Sequence, residues 1–428
     1  MGILLKSPYL KSFTTFFVFD AINKALPFII LPVIAKYLNT SEFGIVSNYL
    51  TLYQIAYILI TYSTYTRLST DYYRKDFNLK EGFSNLTHLM GFNFIISLIL
   101  TCIFTVWIEE SLCISLIWQI LAIITAYFAG VGNLFTTLLV MKEKSVMYGI
   151  IQNLQSILLF FFTLLLVAVI PLNWHGRVIA QVISTFVLSV FAILIAKQKF
   201  GVLSFSLNKD LINVYYKWGF PLLPHTLSFW LKSGMDKILV TKFLGLAING
   251  VFSLSMTLGS IMSLITTSFF NVYSPYVFKQ LSIYQESDVQ GQILVINKLR
   301  KQFMLFILGY GLLSIVSYYV LKIIISLFFS GDYLIAITYL PWVLFANFVN
   351  SIYTVFSSFL FYNRKNKFIA TTTIASAIIQ IVLNLLLLPA IGVLGVLIAN
   401  VLSTSYVAVL TIIGARKQYP LLFYKNYE

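Results

Sequence analysis

Residues 36–47 read Lys36-Tyr37-Leu38-Asn39-Thr40-Ser41-Glu42-Phe43-Gly44-Ile45-Val46-Ser47. Half the chain later, residues 242–253 read Lys242-Phe243-Leu244-Gly245-Leu246-Ala247-Ile248-Asn249-Gly250-Val251-Phe252-Ser253. Lys, an aromatic, Leu, Gly and Ser recur at identical spacing. Each segment closes one long apolar run and opens the next, so the pair marks the same joint in two copies of one unit. Self-similarity at a fixed period is the signature of a duplicated architecture. The flanking runs are what the copies are made of.

A helix crossing the hydrocarbon of a bilayer needs roughly 20 mostly apolar residues. Such runs lie near 13–35, 43–66, 84–108, 112–140, 146–170, 178–196, 219–241, 248–274, 303–325, 336–362, 368–391 and 393–414. The fold expected is an all-α integral membrane protein of about twelve transmembrane helices. They divide into two six-helix lobes, 1–200 and 201–428, with the longest non-apolar connections at 197–218 and 278–302. Six spans per half make the repeat parallel, with its axis along the membrane normal. Two lobes with a site between them is the geometry of alternating-access transporters.

Composition agrees. Hydrophobic residues make up 59% of the 428 and charged residues 10%, against about 25% charged in soluble proteins. Too little polar surface remains to face water, so the chain faces lipid. The 38 Phe and 27 Tyr suit a bilayer with aromatic borders. Two Cys exclude a disulfide framework and three His leave little for a metal site,.

The net charge of +15 would suit a nucleic-acid binder only if it formed a soluble basic face. It does not. With the N-terminus cytoplasmic and the spans alternating, only Lys36, Arg177 and Lys242 fall on the far side. Lys24, Lys232, Lys237 and Lys322 lie inside spans, and the rest of the 29 lysines and arginines gather on the cytoplasmic side. That asymmetry is the positive-inside rule. Both termini are thus expected in the cytoplasm, and no nucleic-acid partner is expected. The first apolar run carries Asp20 and Lys24, is long, and lacks a small-residue cleavage site, which argues against a removed signal.

Ionisable side chains within spans are costly, ~2.5–3.5 kcal/mol at mid-membrane even on the lenient insertion scale, and so point to function. Asp20 and Lys24 stand four apart on the first span, with Asn23 between them. His225, Lys232 and Asp236 form one stripe on the seventh at 3.6 residues per turn, and Lys237 is turned roughly 100° away. The alternative is that Asp20–Lys24 and Lys232–Asp236 are internal ion pairs that only neutralise each other. The same two spans carry Pro27 and Pro32, then Pro221 and Pro224, which are expected to kink them. Kinked, charged helices at corresponding positions would line a slightly cationic cavity, and such a cavity suits buried phosphate. Lys24, Lys232, Lys237 and Asn23 are the candidates for substrate. Asp236, Asp20 and His225 are the candidates for ion coupling. Gln380 with Asn384, and Asn347 with Asn350, share helix faces and suit interhelical hydrogen bonding. Tyr49, Tyr53 and Tyr57 form a packing stripe that could also stack on sugar rings.

Several segments resemble the polysaccharide transporter branch of the MOP exporters, which contains the bacterial O-antigen flippases. They are Leu26-Pro27-Phe28 to Leu31-Pro32 with Tyr37-Leu38-Asn39-Thr40-Ser41-Glu42-Phe43-Gly44; Gly219-Phe220-Pro221-Leu222-Leu223-Pro224 running on to Asp236-Lys237; Asn271-Val272-Tyr273-Ser274-Pro275-Tyr276; and Asn384 to Pro389 followed by Ile391-Gly392-Val393-Leu394-Gly395. Their order and spacing carry the likeness. The resemblance implies twelve helices in two V-shaped lobes in the bacterial inner membrane. It implies flipping of undecaprenyl-diphosphate-linked oligosaccharide to the periplasmic leaflet, with the polysaccharide polymerase machinery as a downstream partner. No cofactor and no catalysis are implied, and transport would draw on a proton or sodium gradient or on the membrane potential. Lys237 stands where the family usually has Arg, which removes the bidentate fork for phosphate. A MATE-like exporter of small molecules would share the fold but favour a more acidic cavity. A membrane-embedded polymerase or glycosyltransferase would need a sizeable non-cytoplasmic loop with catalytic carboxylates, and all such loops here are short.

Overall fold

In a bilayer every backbone N–H and C=O must be satisfied within its own segment, so spanning chains become helices or closed barrels. The computed structural model describes residues 8–72, 74, 77–202 and 207–422, the side chains of 8–18, 20, 21, 24, 25, 272 and 422 excepted. These residues are folded into helices and turns, without strands. The helices are α1 (Pro8–Tyr37), α2 (Thr40–Thr61), α3 (Tyr65–Asp71), α4 (Leu79–Ile103), α5 (Thr105–Leu112), α6 (Leu116–Met141), α7 (Ser145–Thr163) and α8 (Asn173–Gln198). There follow α9 (Lys209–Gly219), α10 (Leu223–Leu244), α11 (Leu246–Gly259), α12 (Ile261–Glu286), α13 (Val289–Phe328), α14 (Ala336–Tyr362), α15 (Asn366–Ile391) and α16 (Val393–Gln418).

Among the described residues, 10 helical stretches are long and apolar enough to cross a membrane. α1 and α10, 30 and 22 residues long, bring the helices of spanning length to the expected twelve. At 1.5 Å per residue, α10 is about 33 Å long and matches a hydrocarbon core of about 30 Å. Lys232, Asp236, Lys237 and Lys242 interrupt its apolar run.

Three expectations are corrected. The stretch 278–302 is not a loop: α12 continues to Glu286, α13 begins at Val289, and Asp288 caps α13 by accepting from the Gly291 N–H at 2.9 Å. Helix hydrogen bonds do not stop where the lipid does, so charged turns extend into water. Within 197–218 the chain forms α9, opened by Asn208, whose side chain accepts from the Asp210 and Leu211 N–H groups. Pro221 and Pro224 do not kink a continuous span. Pro221 lies in the turn between α9 and α10, where the Leu222 N–H bonds to the Gly219 carbonyl at 2.9 Å. Pro224 is in the first turn of α10, where a missing N–H costs nothing,. Pro27 and Pro32 are inside α1 as expected.

The helices gather into two compact units, Met1–Trp230 with Gly245–Gly250, and Leu231–Leu244 with Val251–Glu428. In the first, α1 packs on α7, α2 and α4 on α6, and α8 on α6 and α7. Its core includes Ile60, Phe83, Leu86, Leu89, Met90, Phe135 and Leu138. In the second, α16 packs on α14 and α15, with α12 and α13 against α14. Leu239, Val240 and Phe252 pack there with Val343, Leu388 and Val396.

The repeated joint has a physical reason. Asn39 caps α2 reciprocally: its side chain accepts from the Glu42 N–H, and its own N–H donates to the Glu42 carboxylate at 3.0 Å,. Behind the cap, Gly44 lies so close to Leu246 and Gly250 that an added Cβ would strike the Leu246 carbonyl. A Cβ on Gly250 would strike the Thr40 carbonyl. Small residues permit this close approach of helices in membranes. One turn further, Asn249 Nδ2 donates to Asn48 Oδ1 at 2.8 Å, and Asn48 Nδ2 donates to the Leu112 carbonyl at 2.8 Å.

Candidate functional site

The second unit holds a buried polar cluster centred on α10. Lys232 and Asp236 are four residues apart and share a face. Among the described residues no ion pair joins them within 4.0 Å. The carboxylate, 1% exposed, is held instead by neutral amides. Gln380 Nε2 donates to Oδ2 at 2.8 Å and to Oδ1 at 3.0 Å, and Asn384 Nδ2 donates to Oδ1 at 2.6 Å. The Asn400 side chain bonds to it as well. For Lys232–Asp236 the ion-pair alternative is therefore not the arrangement found.

The supporting residues come from α15 and α16. Gln380 Nε2 also donates to the Lys232 carbonyl at 2.8 Å, while its Oε1 accepts from Ser403 Oγ at 2.8 Å. The amide is thus fixed from both ends. Among the described residues Lys232 Nζ bonds only to the Thr404 hydroxyl, at 3.2 Å. Lys237, half-buried one residue beyond Asp236, makes no hydrogen bond or ion pair with any described residue. Asn384 Oδ1 is buried without a partner. An unmet acceptor beside a carboxylate is a place where a proton or small cation gains ligands.

Of the remaining candidates, Asn23 and His225 have other surroundings. Asp20 and Lys24 lie outside the described residues. Asn23 is taken up between helices: Ser156 donates to its Oδ1, and its Nδ2 donates to Gln152 Oε1 at 3.5 Å, joining α1 to α7. His225, in the first turn of α10, has a buried, unpartnered Nδ1 and meets Phe229 edge-on at 5.1 Å. Tyr49 is buried and bonds to Thr125 Oγ1 at 3.0 Å, a packing role. Asn347 bonds to the Val343 and Gly259 carbonyls. Sequence reasoning took Gln380 and Asn384 for interhelical glue. They are that, but their partner is Asp236. It overlooked Asn400, Ser403 and Thr404, whose signal is a polar patch in an otherwise apolar span. Among the described residues no three His, Cys, Asp or Glu come together as a metal site.

Residues 9–282 match the family described as "Polysaccharide biosynthesis protein". The chain is 20% identical over 381 residues to the "Lsg locus putative protein 1" of Haemophilus influenzae, covering 87% of this chain and 89% of that one. Its fold is similar to an inward-facing multidrug resistance MATE family transporter of the MOP superfamily, with a TM-score of 0.67, 14% identity, and 95% and 98% of the two chains covered. It is also similar to the lipid II flippase MurJ in an inward closed conformation, with a TM-score of 0.65, 15% identity, and 90% and 87% covered. Both likenesses are likenesses of fold.

Proposed function

The chain belongs to the polysaccharide biosynthesis protein family, and we propose that within it this protein flips a lipid-linked oligosaccharide across the membrane. The substrate on this reading is an undecaprenyl-diphosphate-linked unit of O-antigen or a similar surface polysaccharide. It passes by alternating access from the cytoplasmic to the periplasmic leaflet of the bacterial inner membrane, and the polymerase machinery takes it up there. Both termini stay in the cytoplasm, and the protein carries the substrate without catalysing a reaction on it.

The observation that supports the reading best is the way Asp236 is satisfied. Because neutral amides, not a lysine, hold the carboxylate, the charges of Lys232 and Lys237 are left for a ligand. Two mid-helix cations share the field of one carboxylate, with no ion pair within 4.0 Å among the described residues, which leaves net positive charge in the span that an anion would offset,. A diphosphate is the anion that a lipid-linked sugar brings. The similarity of fold to a lipid II flippase supports a lipid-linked substrate.

Asp236 is the coupling residue on this reading. The Asn384 amide can present Nδ2 to an ionised carboxylate, or turn over and present Oδ1 to a protonated one. A sodium ion would find the same oxygens as ligands. Binding of the ion and binding of phosphate at Lys232 are linked because both bear on one turn of α10, and such linkage is reciprocal.

Deleting the protein from its host should leave lipid-linked oligosaccharide in the cytoplasmic leaflet and abolish surface polysaccharide, and Lys232→Gln/Lys237→Gln should fail to restore it. Intact surface polysaccharide together with new sensitivity to cationic drugs would favour the MATE-like exporter instead.

A further inference from the structure

The first unit contains a buried cation that has no ion pair among the described residues. Arg177 lies in α8, about 6 Å along the helix from its first residue, Asn173,. Its side chain is buried, 8% exposed, although guanidinium is charged at any physiological pH.

No anion among the described residues pairs with it. Among the described residues the ion pairs within 4.0 Å are those of Asp71 with Arg67 and Arg74. Glu42 is committed to the Asn39 cap, and Glu109 and Glu110 are exposed on α5. The group that acts on Arg177 electrostatically is the Tyr49 phenol, whose oxygen already shares a hydrogen bond with Thr125. Arg177 Nε is buried and has no hydrogen-bond partner. Only Nε, among its three nitrogens, is both sealed and unpartnered, so the open edge of the fork is formed by the two Nη amines.

We propose that Arg177, beside Tyr49, is an oxyanion-binding site of the first unit that takes a phosphate group. A guanidinium presents paired N–H donors in a plane that matches two oxygens of a phosphate, whereas a lysine offers only a point charge. The Tyr49 hydroxyl gives its proton to Thr125 Oγ1, whose own proton goes to the Leu121 carbonyl, so the guanidinium supplies the donors. The phosphate comes either from a soluble or substrate diphosphate or from an anionic lipid headgroup. The inference follows from the surroundings of Arg177 alone and does not rest on the flippase reading.

The full chain in phosphatidylcholine nanodiscs is melted over a range of inorganic pyrophosphate concentrations in a Lys232→Gln/Lys237→Gln background, which removes the cations of α10, with and without Arg177→Met or Arg177→Lys. The proposal expects a saturable rise in Tm for the background, no rise once Arg177→Met is added, and at least tenfold weaker apparent binding with Arg177→Lys. Without ligand, Arg177→Met should melt at or above wild type, because it keeps the length of the side chain and removes an unpaired buried charge. If a headgroup is the source, wild type melts higher in phosphatidylglycerol nanodiscs than in phosphatidylcholine and Arg177→Met shows no such difference. A pyrophosphate response that persists when Arg177→Met is added to that background, or a ligand-free melting point for Arg177→Met well below wild type, overturns the proposal. So does the absence of any Arg177-dependent shift with either probe.

Discussion

Asn384 donates from Nδ2 to Oδ1 of Asp236 at 2.6 Å, while its own Oδ1 is buried with no partner. A buried acceptor left unmet usually costs about 1–3 kcal/mol. Its place beside a fully buried carboxylate gives it a use, since it completes the ligands of whatever ion Asp236 binds.

The amide clamp should be energetically coupled to the carboxylate. Asn384→Leu or Gln380→Leu alone should destabilise the protein by about 1.5–3 kcal/mol, the worth of a hydrogen bond to a charged group. In an Asp236→Leu background the same changes should cost far less. Thermal melts of the four-member cycle in detergent check this, and strictly additive penalties would separate the amides from Asp236.

Lys237 offers a test of ligand geometry. If it meets phosphate, Lys237→Arg should retain or raise transport, since the fork adds a second donor to the contact. Lys237→Gln should lower transport about tenfold or more, the ~1.4 kcal/mol scale of one weak charge contact. Equal activity of Lys237→Arg, Lys237→Gln and wild type would take the residue out of the substrate path.

Most of the architecture was readable because lipid imposes simple rules. Span lengths and the polar character of α10 follow from apolar run length and the positions of Lys232, Asp236 and Lys237. What could not be read was which partner a buried polar group takes. Lys232 and Asp236 have ideal spacing for an ion pair on one helix, yet Asp236 is claimed by α15 and α16, far away in sequence. Packing between helices, not spacing along one, decides that competition. The prolines misled for a related reason. Pro221 and Pro224 could either kink a span or separate two helices, and in the structure α9 ends at Gly219 and α10 starts at Leu223.

Gly44 and Gly250 have no room for a side chain. Gly44→Leu or Gly250→Leu should drive the joint apart, breaking the Asn249–Asn48 hydrogen bond, and should lower the folded yield severely. Gly91, with open space around its Cα, is the control: Gly91→Ala should express at the wild-type level. Wild-type yield of both leucine variants would contradict the packing described.

Cys113 reports on orientation. It follows α5 in a left-handed conformation, φ 56°, and burial pushes its thiol above the usual range. In a Cys102→Ser background, a membrane-impermeant maleimide added to intact cells should label Cys113. The rate should keep rising with pH beyond the value at which a free cysteine levels off, because the raised thiol yields thiolate later. Labelling only after the membrane is permeabilised would reverse the assigned topology.

The most direct measurement uses purified protein in proteoliposomes carrying undecaprenyl-diphosphate-linked oligosaccharide. The appearance of the glycan on the opposite leaflet is followed with and without an imposed ion gradient. Wild type should move the glycan, and faster under the gradient. Lys232→Gln/Lys237→Gln should move none above empty vesicles, while Asp236→Asn should still bind the substrate but ignore the gradient. No movement by wild type, or a full gradient response from Asp236→Asn, would contradict the account.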